Sequence, residues 1–220
     1  MTDIVLIQGL WLKPQVWAEV HDELERLGLT ASAVDLPVHA EATLADQVDA
    51  VLAAVDASDD PPLVVGHSAA ATLAWLAADA REVAGVVLIG GFPAGDGEVY
   101  AGFLPDLNGP IPFPGWAEFE EDAADLDQGA RAAMQAAMVS VPRGVAQGVV
   151  RYRDPARYDV PVTLICPEFS PDDAKAWIDG GDLPELAKAT KLTLVNLDSG
   201  HWPMVSQPAA LAQLIADAAG

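Results

Sequence analysis

The chain has 220 residues, 51% of them hydrophobic, which suffices for one sizeable core and fits a single domain better than two. Acidic residues outnumber basic residues by 33 to 11, and the formal net charge of −22 argues against nucleic acid or an anionic membrane as a partner. No apolar run approaches the roughly 20 residues that a membrane helix needs, and a predicted strand directly after Met1-Thr2-Asp3 leaves no room for a signal peptide.

The number of cysteines indicates the cellular compartment, and the spacing of the carboxylates indicates whether a metal site is expected. Cys166 is the only cysteine, so no internal disulfide can form and a reducing cytoplasm is the expected compartment. Asp and Glu residues are scattered over predicted helix faces without metal-ligand spacing. We therefore expect no metal, no other cofactor and a small-molecule substrate. Oligomeric state stays open, a homodimer included.

Strands and helices alternate in the predicted order of elements. Six strands are predicted by apolar runs near 3–8, 31–35, 62–66, 84–90, 160–166 and 191–197. Helical patterns lie near 14–27, 43–57, 69–81, 171–178, 184–189 and 206–219. This alternation predicts an α/β fold, with a doubly wound, mainly parallel six-stranded sheet and helices on both faces.

The stretch from Phe92 to Tyr158 interrupts this rhythm. It opens with many Pro and Gly residues and continues with helical patterns at about 115–126, 128–140 and 142–150. We expect one domain over 1–220, with 92–158 as a helical insertion. Apolar side chains that can line its underside are Phe103, Leu104, Phe113, Trp116, Phe119, Met134 and Met138. We expect most of them only to pack the insertion against the body.

The most informative motif is Gly66-His67-Ser68-Ala69-Ala70, where a predicted strand passes directly into a helix. A nucleophile elbow has this form: a strained turn exposes the central hydroxyl, and only very small residues fit two positions before and after it. Gly66 meets that need and Ala70 nearly does. The alternative is an ordinary tight turn in which Ser68 caps the helix.

A candidate base lies near the C-terminus, in the fragment Asp198-Ser199-Gly200-His201-Trp202. His201 follows the last predicted strand, and loops at the carboxyl ends of parallel strands collect reactive groups. His21 lies within an amphipathic helix pattern and His39 in a loop without such a setting. His67 flanks Ser68, and its side chain is expected to point away from the hydroxyl and to shape the turn.

With Leu6-Ile7-Gln8-Gly9-Leu10-Trp11 after the first strand, these two fragments resemble the α/β-hydrolase superfamily over nearly the whole chain. The resemblance implies the strand order 2-1-3-4-5-6 and makes 92–158 a cap over the active site. It also implies an oxyanion hole formed by the backbone N–H groups of Leu10 and Ala69. A weaker likeness, carried by Glu168-Phe169 and Trp177, is to the methylesterase and hydroxynitrile lyase branch.

The acid that orients His201 is open among three residues. The family expects it in the loop after the fifth strand, which reads Pro167-Glu168-Phe169-Ser170-Pro171-Asp172-Asp173. Glu168 is the first choice because it is nearest the strand end. Asp172 is the second choice, although its place at a helix start favours a stabilising role there. Asp96, after the fourth strand, is the third.

These residues predict a serine hydrolase that cleaves a small, largely apolar carboxylic ester or lactone. Ser68 would attack the carbonyl and form an acyl-enzyme, with His201 as the base and Glu168 orienting it. Two alternatives remain: a lyase that uses the same groups as acid and base, and a catalytically silent member that only binds a ligand.

Overall fold

The structure, a computed structural model, describes residues 3–220. Met1 and Thr2, which entered the prediction about a signal peptide, lie outside this range. None of the helices within it is both long and apolar enough to cross a membrane.

All six strands form one parallel sheet. They are β1 (Ile4–Ile7), β2 (Ala31–Ala33), β3 (Leu63–His67), β4 (Gly85–Ile89), β5 (Val162–Cys166) and β6 (Leu192–Asn196). The spatial order is β2-β1-β3-β4-β5-β6, and every neighbouring pair is parallel. The predicted fold class and strand order are therefore confirmed. Outgoing loops of β1 and β3 part at the point where the strand order reverses, which is where open α/β sheets bind ligands.

Eight α-helices occur within the described residues. They are α1 (Ala18–Arg26), α2 (Leu44–Asp56), α3 (Ala70–Ala80), α4 (Gln128–Ala137), α5 (Arg143–Ala146), α6 (Pro171–Gly180), α7 (Pro203–Ser206) and α8 (Pro208–Ala219). Short 3-10 helices cover Pro14–Trp17, Trp116–Phe119, Pro155–Asp159 and Leu186–Lys188. Pro14 thus opens a 3-10 turn before α1, and the predicted 184–189 helix is only such a turn. The predicted 206–219 helix begins at Pro208, because a proline fits the first turn, where its missing N–H costs no bond.

The sheet is buried on both faces. Side chains alternate along each strand, so Val5 and Ile7 join the core under α2, α3 and α6, while Ile4 and Leu6 join the core under α1 and α8. α3 is almost wholly buried and rich in alanine, which lets it pack closely behind β3. The helix that follows Ser68 is therefore fixed against the sheet.

The insertion between β4 and β5 is less helical than predicted. The predicted 115–126 helix is the 3-10 helix Trp116–Phe119 followed by turns, and the predicted 142–150 helix ends at Ala146. Val149 instead pairs with Val99 in an antiparallel bridge. The physical reason is close packing, since a methyl carbon added at Gly148 would lie 2.4 Å from Leu44 Cβ on α2. Only glycine permits that approach, and glycine is a poor helix former.

A buried ionic network fastens the end of the insertion to the body. Arg157 Nη1 donates to Asp79 Oδ1 at 3.1 Å, and Arg157 Nη2 donates to Glu185 Oε2 at 2.9 Å. All three side chains are at most 7% exposed. Burial alone raises the pKa of Glu185, but hydrogen bonds from Trp75 and Arg157 outweigh it and lower the pKa below its ordinary value. The ion pairs of Arg157 with Asp79 and Glu185 thus hold the chain in place just before β5.

Candidate active site

Ser68 stands on a strained strand-to-helix turn. Its φ of 55° is positive, which is uncommon for a residue with a side chain. Its N–H donates to the Ile89 carbonyl on β4 at 2.8 Å, and its own carbonyl accepts from the Ala71 N–H at 2.9 Å. These bonds hold the strained conformation at the carboxyl end of β3, as an elbow requires.

Close packing explains the small residues around this turn. A methyl carbon added at Gly66 would lie 2.3 Å from the Ala70 carbonyl oxygen, and one at Gly91 would lie 2.2 Å from the Ser68 carbonyl oxygen. Ala70 itself is fully buried. Alanine is tolerated at position 70 of the motif because the close contact with Gly66 is made by the Ala70 backbone and not by its side chain.

The loop after β1 passes directly against the nucleophile. A methyl carbon added at Gly9 would lie 3.0 Å from Ser68 Cβ and 2.8 Å from His67 Nδ1. Within residues 3–220, the N–H groups of Leu10 and Ala69 donate no hydrogen bond to another protein group. Two free backbone donors beside a serine hydroxyl are the arrangement that an oxyanion hole needs.

Two side chains orient that loop. The amide of Gln8 donates from Nε2 to the Val34 carbonyl at 3.1 Å, and Trp11 donates from Nε1 to the Ile111 carbonyl at 3.1 Å. The Trp11 carbonyl also accepts from the Val139 N–H at 2.9 Å. Trp11 has a positive φ of 63°, so this loop, like the elbow, is held in a strained conformation.

Glu168 is the carboxylate that the structure brings to His201. Its Oε1 lies 2.6 Å from Nδ1 of the imidazole, and the side chains of His201 and Glu168 are 17% and 22% exposed. A carboxylate on Nδ1 keeps the proton there and leaves Nε2 as the proton acceptor. The bare backbone of Gly90 makes room, since a methyl carbon there would lie 3.1 Å from Glu168 Oε2.

The other two candidate acids lie elsewhere. Asp172 is exposed in the first turn of α6, where Asp173 rather than Asp172 completes a capping box with Ser170. Asp96 accepts a hydrogen bond from the Tyr152 N–H at 3.1 Å and so joins the two ends of the insertion. Neither of them reaches the ring of His201.

His67 has a role that sequence reasoning missed. Its side chain is buried, and Nε2 lies 2.7 Å from the His201 carbonyl oxygen, with the two rings 4.9 Å apart between centroids. Burial, and secondarily the neighbouring His201, lower the pKa of His67 to about 3. His67 is therefore neutral at ordinary pH and donates its Nε2 proton to the loop that carries His201. In the sequence, the only signal for this contact with the His201 loop is that His67 precedes Ser68 directly.

The insertion also holds the His201 loop. The Asp122 carbonyl accepts from the His201 N–H at 2.8 Å, and Asp125 Oδ2 accepts from the Gly200 N–H at 2.7 Å. A methyl carbon added at Gly200 would lie 2.2 Å from the Asp122 carbonyl oxygen. Nothing in the sequence marked Asp122 or Asp125, because they are about 75 residues away from the loop that they bind.

A cavity of about 600 Å³ opens beside Ser68 and Glu168. It is largely aromatic, being lined by Phe92, Phe103, Phe169 and Trp177. Of the residues predicted to line the underside of the insertion, only Phe103 lies in this wall. A larger cavity of about 730 Å³, between α2 and the end of the insertion, contains none of the candidate catalytic residues.

The remaining residues of that set pack elsewhere, in agreement with the expectation that most of them pack the insertion against the body. Phe113 stacks on Phe119, and Trp116 packs edge-on against Trp202. Met134 and Met138 line a separate cleft against Leu12 and Met204, and Leu104 packs on the main core. Large apolar side chains in the insertion mostly fasten it to the body.

One cluster in the described residues has the spacing of metal ligands. His21, Asp22 and Glu25 offer ligand atoms within 4.8 Å of one another on α1. Asp22 and Glu25 are exposed, and the imidazole lies 3.9 Å from the Glu25 carboxylate, as expected for solvated neighbours on one helix face. This cluster supplies nothing to the Ser68 site.

Comparison with known proteins agrees with this geometry. A family model described as an alpha/beta hydrolase family matches residues 4–214. An extracellular alpha/beta-hydrolase from a Paenibacillus species superposes with a TM-score of 0.79 at 15% identity, covering 99% of each chain. A methylesterase from Arabidopsis gives 0.77 at 14% identity, covering 99% of this chain and 98% of that one. A pyrethroid hydrolase from Sphingobium faniae JZ-2 gives 0.76 at 20% identity, covering 99% and 97%.

Fold and site together define an enzyme scaffold of the α/β-hydrolase type. Because the family model spans nearly all of the described residues, the chain belongs to the alpha/beta hydrolase family. This confirms the resemblance drawn from the three motifs. No curated protein matches the chain significantly in sequence, and the solved structures share its fold at identities too low to carry a substrate.

Proposed function

We propose that the protein is a serine hydrolase that cleaves a small, largely apolar carboxylic ester or lactone through an acyl-enzyme. One observation carries the proposal: Ser68 has a φ of 55° on a strand-to-helix turn, in the same cavity as a Glu168 carboxylate 2.6 Å from His201 Nδ1. A strained serine that shares its cavity with the carboxylate of an oriented imidazole fits the arrangement that acyl transfer uses.

The mechanism assigns one step to each group. Ser68 Oγ attacks the carbonyl carbon while His201 Nε2 takes its proton and then passes it to the leaving alcohol. Glu168 keeps the other ring proton on Nδ1 and stabilises the imidazolium. The N–H groups of Leu10 and Ala69 stabilise the oxyanion, and a water molecule activated by His201 then releases the acid.

The cavity supports a small and largely apolar substrate. Its volume of about 600 Å³ and its aromatic walls suit an apolar ligand of modest size. Two of the structural relatives are named as a methylesterase and a pyrethroid hydrolase, which is consistent with ester chemistry on this fold.

Hydrolysis of p-nitrophenyl esters of short acids, without added metal, tests this proposal. Ser68→Ala is expected to lower kcat by roughly 10⁴- to 10⁶-fold, the scale of losses of a nucleophile. Ser58→Ala, the same change in the turn after α2, should keep wild-type turnover. Wild-type turnover in Ser68→Ala would overturn the mechanism. Cleavage of cyanohydrins by a preparation without esterase activity would replace it with a lyase.

A further inference from the structure

The cavity beside Ser68 has an uncompensated negative charge. Its walls include two carboxylates, Glu98 and Glu168, and no lysine or arginine. Glu168 faces His201, but Glu98 is exposed and forms no ion pair with another residue of the described chain. Its Oε2 accepts from the Gly95 N–H at 2.7 Å, which fixes the carboxylate at this wall.

A neighbouring positive charge, that of Arg151, is directed elsewhere. Arg151 lies against Gly97, next to Glu98 in the chain, and its Nη1 donates to the Val150 carbonyl at 3.1 Å. Arg151 lines the larger cavity near α2 and not the one beside Ser68. Glu98 therefore faces the substrate cavity without a neutralising partner.

Aromatic rings complete this wall. Phe92, Phe169 and Trp177 contact one another, with ring centroids 5.2 to 5.8 Å apart, and all three line the cavity. Trp177 is 37% exposed and Phe103, in the same wall, is 73% exposed. Aromatic faces attract ammonium groups, by about 0.5 to 1 kcal/mol at exposed sites and by about 2 kcal/mol where the cation is desolvated.

From these observations we propose that the substrate is an ester that is apolar except for one cationic ammonium group, which binds on this aromatic wall near Glu98. The inference deepens the proposed function and rests on it. A cleft lined by charges of one sign concentrates ligands of the opposite sign, and the net charge of −22 adds to that field. The same field expels the carboxylate that hydrolysis releases, so it favours a cationic substrate and release of the acid product.

An isosteric pair of thioesters tests the proposal. The two are 2-(trimethylammonio)ethyl thioacetate and 3,3-dimethylbutyl thioacetate, which differ in a quaternary nitrogen against a quaternary carbon. We expect kcat/KM to be about 5- to 30-fold higher for the cation, since about 1 to 2 kcal/mol of cation binding corresponds to that ratio. Added salt should reduce the ratio.

Two matched variants locate the effect. Glu98→Gln keeps an oxygen acceptor for the Gly95 N–H but removes the charge, and it should lower the ratio to about 2-fold or less. Glu82→Gln makes the same change in net charge at an exposed position before β4, at the opposite end of the sheet, and should leave the ratio unchanged. An equal loss in both variants would assign the preference to overall charge and overturn the assignment to this wall.

Binding without catalysis separates this proposal from the proposed function. Calorimetry on Ser68→Ala with the two alcohols, choline and 3,3-dimethylbutanol, should give a tighter Kd for choline by the same factor. If the cationic compound binds no more tightly than its neutral isostere, or is turned over with no higher kcat/KM, the proposal of a cationic substrate is overturned even if esters are hydrolysed. Selective choline binding with no ester turnover in the wild type would instead overturn the hydrolase.

Discussion

The two halves of the candidate site are held in different ways. Ser68 is fixed by backbone contacts among its neighbours on β3, α3 and the end of β4, with Gly66 and Gly91 allowing the close approach. His201 lies on a loop that owes its position to distant groups, namely the His67 side chain and the insertion residues Asp122 and Asp125. The setting of Ser68 is thus a local feature of the chain, whereas that of His201 is assembled from separate elements.

This difference has a physical consequence. An elbow made by sterically forced backbone contacts cannot loosen without loss of the fold, because its strain is balanced by the sheet. A loop held by a few hydrogen bonds can shift by a fraction of an ångström while the fold persists. We therefore expect substitutions around Ser68 to act on stability and substitutions around His201 to act on turnover.

Among the residues that support Ser68 and His201, the largest expected effect is on the His201 side. Glu168→Gln keeps the shape of the side chain but no longer fixes the tautomer of His201, so kcat should fall by on the order of 10⁴-fold with little change in Tm. Asp172→Asn should cost a few tenths to about 1 kcal/mol of helix-start stability and little activity. Asp96→Asn should change activity little. Ester turnover and thermal melting of the three variants check this, and near-normal activity in Glu168→Gln would contradict the assignment.

Around Ser68, Gly66→Ala is expected to lower the stability of the fold. The added methyl carbon would lie 2.3 Å from the Ala70 carbonyl oxygen, so β3 and α3 must separate. A cost above about 4 kcal/mol, or failure to fold, is expected. Gly180→Ala, near the end of α6, meets nothing closer than 3.5 Å and should be neutral or stabilising by up to about 1 kcal/mol. Urea unfolding compares them, and a fully stable Gly66→Ala would refute the tight elbow.

The lowered pKa of His67 predicts that the free energy of unfolding depends on pH. Its pKa is lowered to about 3 in the fold, against about 6.5 in the unfolded chain. As pH falls, the unfolded chain takes up the proton before the folded chain does. The stability that a neutral His67 contributes is therefore complete above pH 6.5 and is lost as pH falls from 6.5 toward 3, on the order of 5 kcal/mol in total.

The matched test is His67→Gln, whose amide still donates to the His201 carbonyl. Its free energy of unfolding should fall less steeply than that of the wild type between pH 6.5 and 4. His39→Gln, on an exposed side chain, should follow the wild type. Identical slopes for the wild type and His67→Gln would show that His67 does not resist protonation in the fold.

The smallest expected effect concerns the insertion. Asp125→Ala removes the acceptor for the Gly200 N–H, so kcat should fall by about 5- to 30-fold, as for the loss of a charged hydrogen bond of about 1 to 2 kcal/mol. Asp127→Ala is the control, because Asp127 caps α4 through the Ala130 N–H. It should cost about 1 kcal/mol of stability and leave kcat unchanged. Equal kcat for wild type and Asp125→Ala would mean that the insertion does not position His201.

The same difference explains what could be predicted from the sequence. The strands and the place of Ser68 follow from contiguous patterns, and His201 follows from its position after the last strand. The order of the strands follows from the family resemblance. Glu168 could be ranked first but not chosen, because its contact with His201 depends on how two loops meet. His67, Asp122 and Asp125 were missed as supports, since hydrogen bonds across 75 or more residues leave no local pattern.

The insertion was mispredicted for a related reason. Helical periodicity near 142–150 is real, but Gly148 packs against Leu44 on α2 and the backbone there turns extended. Tertiary contact overrode local preference, as it often does where propensities are weak. In the aromatic wall of the Ser68 cavity, Phe92 and Phe169 come from the loops after β4 and β5, Trp177 comes from α6, and only Phe103 belongs to the set predicted for the underside of the insertion.

The central claim is that Ser68 is a nucleophile activated by His201. The most direct measurement is to incubate the folded wild-type protein, Ser68→Ala and His201→Ala with a fluorophosphonate probe and to locate the adduct by peptide mass analysis. We predict a single adduct on Ser68 in the wild type, none in Ser68→Ala and much slower labelling in His201→Ala. A folded wild-type protein that stays unlabelled, or that is labelled at another serine, would contradict the claim.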